Sequence, residues 1–293
     1  MNYMQLGGTL FIPASHKRLQ EIVCENRYPG LKSLVIDFED GLEYSDFDFA
    51  MKNINNILEN IINKSILVFI RAKNTQHLSE LLRLSHIHNI TGFVLAKFSL
   101  QNAEIYLKLL SATNHIIMPS IEGKELFNHQ KLNVLKEIIL TNKDKVLLVR
   151  FGLEDMLRQL RMRRTCDESI FDLSAPSSVV GNFIAIFKSA GLAVSGGVYP
   201  CYRDKKGFIK DVQRDLREGL FSKTIIHPSQ IADTNEVYKV NKKEYEEALE
   251  ILKTNKKIFA LNKKMVESLT MSSYSHLLIM REKIYGIRDE QNI

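Results

Sequence analysis

At 293 residues, 45% hydrophobic and 25% charged, the chain has the makeup of an ordinary globular protein, with room for one large domain or two small ones. Lys and Arg number 40 against 34 acids, a surplus of +6 that suits small anions as well as it suits nucleic acid. The basic residues are scattered, apart from RMRR at 161–164 and a Lys-rich segment after 239, and no zinc finger or aromatic RNA-binding motif accompanies them, so nucleic acid is not expected as a partner.

The opening residues, MNYMQLGG, lack the basic and apolar regions of a signal peptide, and no apolar run approaches the roughly 18 residues of a membrane span. A cytoplasmic protein with no membrane partner is predicted. Short apolar runs then recur at intervals of about 25 to 35 residues, each followed by a stretch of helical periodicity. They are TLFIP (9–13), SLVIDFE (33–39), SILVFIRA (65–72), TGFVLAKF (91–98), HIIMPSIE (115–122), KVLLVRFG (145–152), GLAVSGGVYP (191–200) and KTIIHP (223–228). Segments such as DFAMKNINNILENII (48–62) and SLQNAEIYLKLLS (99–111) lie between them, with apolar residues at three- and four-residue spacing.

Eight strand-helix repeats predict an α/β fold, a closed (β/α)8 TIM barrel with additional C-terminal helices, in preference to an open doubly wound sheet. No GxGxxG or GxxxxGKS motif supports a nucleotide-binding alternative. Residues 1–235 are assigned to the barrel and 236–293 to a helical extension. The extension reads as two amphipathic helices, 241–262 and 264–286, packing on the barrel mouth or on a neighbouring subunit. Cys24, Cys166 and Cys201 are odd in number, widely spaced and matched to no metal pattern, which predicts reduced thiols and no disulfide framework.

Catalytic groups of such a barrel sit at the carboxyl ends of its strands, where the loops meet over one open face. Polar residues fall at those ends: Asp37, Glu39 and Asp40 after strand 2, Arg71 after strand 3, Lys97 after strand 4, Glu122 after strand 5, Glu154 and Asp155 after strand 6, His227 after strand 8. Glu122 and Asp155, from adjacent strands, are placed to hold a divalent cation, and two carboxylates with open positions suit Mg²⁺. Arg71 adds a fixed positive charge for a developing oxyanion. Asp155 also reads as a helix N-cap before MLRQLRM.

Lys97 has two readings, a Schiff-base or substrate-binding amine and an ion-pair partner for the acids of strand 2. Asp37 and Glu39 alternate with apolar neighbours and are expected inside the barrel, paired or hydrogen-bonded, with Asp40 nearer the mouth among the catalytic candidates. His227, before a proline, is expected to fix the turn after strand 8. His86 and His88 form an HxH without a third ligand, so no metal is assigned to them.

Taken in order, FIPASHKRLQ, VIDFEDGL, VFIRAKN, GFVLAKF, MPSIEGKELF, VRFGLEDML and KTIIHPSQI resemble the blocks of the citrate lyase β-subunit branch of the HpcH/HpaI aldolase family. KVNKKEYEEALEIL and KMVESLTMSSYSHLLIMREKIYG are similar to the family's C-terminal helices, so the likeness covers nearly the whole chain. TLF-P, GF-L-KF and LR-RR bring it nearest to the citrate-lyase-like proteins of tellurium-resistance and related stress operons. The resemblance implies a (β/α)8 barrel, Mg²⁺ held by Glu122 and Asp155, and Arg71 as the oxyanion residue. It also implies carbon-carbon bond cleavage or formation in a hydroxy or oxo acid, as a coenzyme A thioester, and a homo-oligomer, a trimer or a multiple of one.

In relatives a C-terminal carboxylate reaches the neighbouring subunit's mouth as proton donor, a position that falls here on Glu267, where Glu replaces Asp and Ser268 replaces Pro. The family's arginine before strand 1 is replaced by Gly8 and Thr9, and the proline before the strand 4 lysine by Ala96. Two readings follow: the substrate carboxylate is held by Arg161, Arg163 or Arg164, or the substrate is not a coenzyme A ester at all. A thioester hydrolase using the same site, and a barrel that binds without catalysis, are the alternatives.

Overall fold

The structure, a computed structural model, describes residues 1–61 and 65–288. The chain divides into two compact units, Met1–Ile231 and Ala232–Ile293. Ile62, at the end of a predicted helical segment, and residues 289–293 lie outside the described residues.

The first unit alternates strands and helices: β1 (Thr9–Pro13), α1 (Leu19–Cys24), β2 (Ser33–Asp37), α2 (Phe47–Asn60), β3 (Leu67–Ala72), α3 (Thr75–Leu81), β4 (Gly92–Leu95), α4 (Ala103–Leu110), β5 (Ile116–Ile121), α5 (His129–Leu140), β6 (Arg150–Phe151), α6 (Leu153–Leu160), α7 (Ser174–Ser189), α8 (Lys205–Arg217) and β7 (Thr224–Ile225). All pairings in its sheet are parallel, in the order β6-β5-β4-β3-β2-β1-β7. Helix spacing explains the crossovers: α2 buries Ala50, Ile54, Ile57 and Leu58 at three- and four-residue intervals, one stripe against the sheet.

The predicted seventh strand, 191–200, forms an irregular stave instead. It is held by parallel bridges from Val194 to Val149 and from Val198 to Thr224, and these join β6 to β7 and close the ring. Glycine is the reason for the irregularity. A Cβ at Gly196 would collide with Asp215, and one at Gly197 with Leu153, so the backbone here passes too close to its neighbours for an ordinary pleated strand. The (β/α)8 expectation holds, with its last staves short.

Inward-facing residues alternate along each strand, and Val35, Phe69, Val94, Met118 and Leu148 form a buried cluster drawn from consecutive staves. Leu6, from a 3-10 turn at Tyr3–Leu6, plugs this core from the amino-terminal end of the strands and is tied by the Ser33 hydroxyl, which donates to the Leu6 carbonyl at 2.7 Å. Outward-facing Leu34, Ile36, Val68, Ile70 and Phe93 are buried as well, as strands covered on both faces require.

The second unit follows α9 (Gln230–Tyr238) with β8 (Val240–Asn241), α10 (Lys242–Lys253), β9 (Ile258–Leu261), β10 (Lys264–Glu267), α11 (Ser268–Tyr285) and β11 (Ile287–Arg288). Two long helices were expected here; the structure inserts an antiparallel hairpin, β9 to β10, between shorter ones. Its two-residue turn, Asn262 and Lys263, has φ of 50° and 62°, the positive pair that joins twisted strands most directly. Val240, Ala248 and Leu278 form this unit's core, and β8 pairs with β11 in parallel. Among the described residues no helix is long and apolar enough to cross a membrane.

Candidate active site

A cavity of about 420 Å³ opens among the carboxyl ends of the strands, walled by Asp37, Asp40, Arg71, Ser120, Glu122, Arg150, Gly152, Glu154, Asp155 and Thr224 over Phe11. One side is a corner of β2 and β3. Arg71 donates through Nε and Nη2 to the two oxygens of Asp37, each at 2.7 Å, a bidentate fork. Its Nη1 lies 3.1 Å from Glu39 and 3.2 Å from Asp40. Burial opposes the charge on Arg71, but Asp37, then Glu39 and Asp40, raise its proton affinity above that of a free guanidinium. Asp37 also accepts from the backbone N–H groups of Glu39 and Gly41, so one carboxylate shapes the loop and aims the arginine.

The other side is acidic. Glu122 is buried, its Oε1 accepts from the Ser120 hydroxyl at 2.6 Å, and its Oε2 is buried without a hydrogen-bond partner among the described residues. Burial raises its pKa, opposed by Ser120 and Arg71 and reinforced by the nearby charge of Asp155. Its carboxylate arm lies across Gly152, where a Cβ would collide with the Cβ and Cγ of Glu122. That answers for the glycine between Phe151 and α6. Asp155 projects from the first turn of α6 and accepts from Arg158. The N-cap is Gly152, with no side-chain cap, so Asp155 does not serve as the cap its position suggested. Glu122 and Asp155 are the groups here suited to a hard cation; among the described residues no cluster of three or more His, Cys, Asp or Glu is built for a metal.

Three expectations need correction, and one open choice is decided. Of the two readings of Lys97 the ion pair with the acids of strand 2 holds: the residue stands in the left-handed region and pairs with Glu39, and that bond raises the pKa of its ammonium, the opposite of what a Schiff-base lysine needs. Arg164 is buried in an ion pair with Asp211 at 3.0 Å and donates to the Val198 carbonyl at 2.6 Å, so its guanidinium braces the shell and does not face a substrate. Arg161 is exposed at the left-handed end of α6, its N–H closing that helix, and is not part of the cavity wall. Cys166 and Cys201 are joined in a disulfide between the loops after α6 and after stave 191–200, which odd cysteine number and wide spacing had hidden.

Asp40 and Arg71 are where the sequence put them. His227 is exposed, its Nδ1 3.2 Å from the Ser229 N–H, fixing the turn. Glu267 ends β10 in the second unit, exposed. Arg150 was missed. It sits in the wall of the cavity, 3% exposed, and its signal was plain: an arginine in LLVRF two residues after inward-facing Leu148.

A family model for C-C bond lyases of the TIM-barrel fold matches residues 1–287. The chain belongs to this family. Citrate lyase subunit beta of Escherichia coli K12 is 25% identical over 154 residues, 50% of this chain and 49% of that protein, so the match spans about half of that relative. The Haemophilus influenzae citrate lyase subunit beta is 23% identical over 274 residues, 88% of this chain and 91% of its own. Among solved structures, CitE from Mycobacterium tuberculosis in complex with magnesium, acetoacetate and coenzyme A superposes with a TM-score of 0.70 at 16% identity, covering 96% of this chain and 99% of that one. RipC from Yersinia pestis gives 0.63 at 16% identity, over 83% and 99%. At such identities these likenesses speak for the fold.

Proposed function

We propose that this C-C bond lyase family member is a Mg²⁺-dependent carbon-carbon lyase acting on a small hydroxy or oxo acid, free or as its coenzyme A thioester. The observation that carries the reading is the buried Oε2 of Glu122, left without a hydrogen bond among the described residues, beside Asp155 in a water-accessible cavity. A buried carboxylate oxygen without a donor is costly unless a cation completes it. Glu122 and Asp155 would hold the ion, leaving most of its coordination to water and substrate oxygens. When bound, Mg²⁺ supplies polarisation of the substrate carbonyl and compensation of enolate charge. The CitE neighbour with magnesium, acetoacetate and coenzyme A, and a second M. tuberculosis structure with oxaloacetate and magnesium, support the choice of ion and ligand class.

Arg71 contributes charge that cannot be lost, fixed by the Asp37 fork. Asp40, half-exposed on the wall, is its most displaceable partner: when a substrate oxygen takes its place, Nη1 of Arg71 turns to the oxyanion and Asp40 is left to handle the hydroxyl proton. Glu267 would protonate the departing carbanion centre from a neighbouring subunit, which makes a homo-oligomer part of the same reading; sedimentation of the intact protein checks it.

The direct test is isothermal titration with Mg²⁺ and a metal-supplemented screen of hydroxyacyl-CoA esters and free 2-oxo acids, with products read by mass spectrometry. Glu122→Gln and Asp155→Asn are expected to weaken Mg²⁺ by more than the about 10–100-fold typical of losing an outer-shell partner, and to stop turnover with the fold intact. Two carbon fragments identify a lyase; free coenzyme A with an intact acid identifies hydrolysis. A folded, fully active double variant would sink the proposal.

A further inference from the structure

The second unit carries two arginines with donors that its fold leaves unused. Arg281 on α11 and Arg288 on β11 are half-buried, and Nε of the first and Nη1 of the second are buried without a hydrogen-bond partner among the described residues. A buried N–H with no acceptor is costly, and two on neighbouring guanidiniums require an explanation. Burial lowers the proton affinity of Arg281; Tyr274, Glu244 and Tyr238 oppose the fall, Arg288 adds to it, and the net direction stays downward. Arg71, ringed by acids, moves the other way.

Local structure brings the pair together. Tyr274, Leu278 and Arg281 stand at four- and three-residue spacing on α11, and Leu278 is buried with Ala248 of α10, so this stripe runs along the seam between the two helices. Arg288 pairs in register with Asn241, the N-cap of α10, whose Oδ1 accepts the N–H groups of Lys243 and Glu244 at 2.8 Å and 3.3 Å. The positive end of a 12-residue helix therefore lies beside Arg288. Glu244 is the carboxylate that acts on Arg281, against a second guanidinium and a helix start. Tyr274, 52% exposed, leaves the seam open to solvent. A carboxylate matches the two parallel N–H bonds of a single fork, as Asp37 matches Arg71. Here the unused N–H groups belong to two guanidiniums on separate elements, so their acceptor needs oxygens in more than one plane and charge for two cations.

We propose that Arg281 and Arg288, with Tyr274 at the rim, form a phosphoryl-binding site in the second unit, taking inorganic phosphate or the head of a phosphomonoester as the dianion. The site is built from α10, α11 and β11 alone and is independent of the chemistry proposed for the barrel cavity.

Calorimetric titration of the full chain with inorganic phosphate, glycerol phosphate and acetate tests it, without Mg²⁺ and at about pH 8, where the phosphoryl group is doubly charged. Wild-type protein should bind a phosphoryl anion with a dissociation constant of about 1 mM or below, and acetate at least about tenfold more weakly. Arg288→Gln and Arg281→Gln should each weaken the phosphoryl anion at least about tenfold, the worth of one charge-assisted bond, and Arg281→Lys, which keeps the charge but not the Nε–H, should recover only part. Tighter binding of the ester assigns the site to a phosphomonoester and tighter binding of the ion to free phosphate; either supports it. Arg288→Gln, in a two-residue strand, is the deciding variant if Arg281→Gln does not fold, and phosphate should raise its melting temperature by less than that of wild type. Binding untouched by both variants, which would put the phosphate in the barrel cavity, equal binding of acetate, or no saturation by about 10 mM would overturn the site.

Discussion

Between α8 and the start of β7, Lys223 lies 1% exposed against Asp211 and 2.8 Å from Asp215, with Arg164 on the far oxygen of Asp211. At the cavity, Arg71 and Lys97 face Asp37, Glu39 and Asp40, and here Lys97 and Asp40 are 55% and 57% exposed. The first cluster matches its cations to its acids and is sealed. The second, with Arg150 counted among its cations and Glu122 and Asp155 among its acids, carries acids in excess, and it opens to water. Burial opposes the ammonium of Lys223, but Asp215 and Asp211 together hold it charged, so the sealed cluster works as a brace. A surplus of acids around an accessible cavity is instead a standing demand for a cation, which is why ion binding is expected at one cluster and not the other.

The largest effect should come from breaking the sealed cluster. Lys223→Met leaves two carboxylates buried side by side and is expected to cost about 3–5 kcal/mol in chemical denaturation. Replacing Cys166 or Cys201 by Ser, which frees a loop of 35-residue separation, should cost about 2–4 kcal/mol and leave Mg²⁺ affinity unchanged, because neither cysteine belongs to the cavity. Asp40→Asn should cost less than about 1 kcal/mol, since an exposed pair contributes little, while lowering kcat. Equal stability losses for Lys223→Met and Asp40→Asn would erase the distinction between brace and site.

Much of this was legible in the chain. Alternating apolar runs and helical stripes gave the barrel, and strand-end position gave Asp40, Arg71, Glu122 and Asp155, because in this architecture one end of every strand shares one opening. What failed depended on direction or distance. RMRR offered Arg164 as a holder of the substrate carboxylate, but nothing local says that it folds back onto Asp211, 47 residues away. Lys97 sits at a strand end like Arg71 and left two readings open; its positive φ of 48° turns it to Glu39 and so chooses the ion pair. GLAVSGGVYP carries the apolar content of a strand, and only the approach of Asp215 and Leu153 to Gly196 and Gly197 explains why it is not regular. The β9–β10 hairpin escaped because LNKK lacks the Asn-Gly pair that marks such turns.

The last effect sharpens the contrast through pH. His77 is buried at the start of α3, edge-on to Phe38 and Phe47, and its Nδ1 accepts the Lys73 N–H at 3.2 Å while Nε2 faces the Met51 sulfur at 3.4 Å. Burial pushes its pKa from 6.5 down to about 4, with Lys73 adding to the shift and Glu80 opposing it. Between those values the unfolded chain takes up a proton that the folded chain refuses, so stability is complete above pH 6.5 and falls as the pH drops toward 4. Protonation would also abolish the acceptor for Lys73, two residues beyond Arg71, and loosen the loop that follows the arginine. Melting curves of wild type and His77→Gln from pH 7 to 4.5 should converge as the pH falls. Parallel curves would show that His77 is not what ties the open corner down, and the acid sensitivity of the fold would then have to come from its carboxylates.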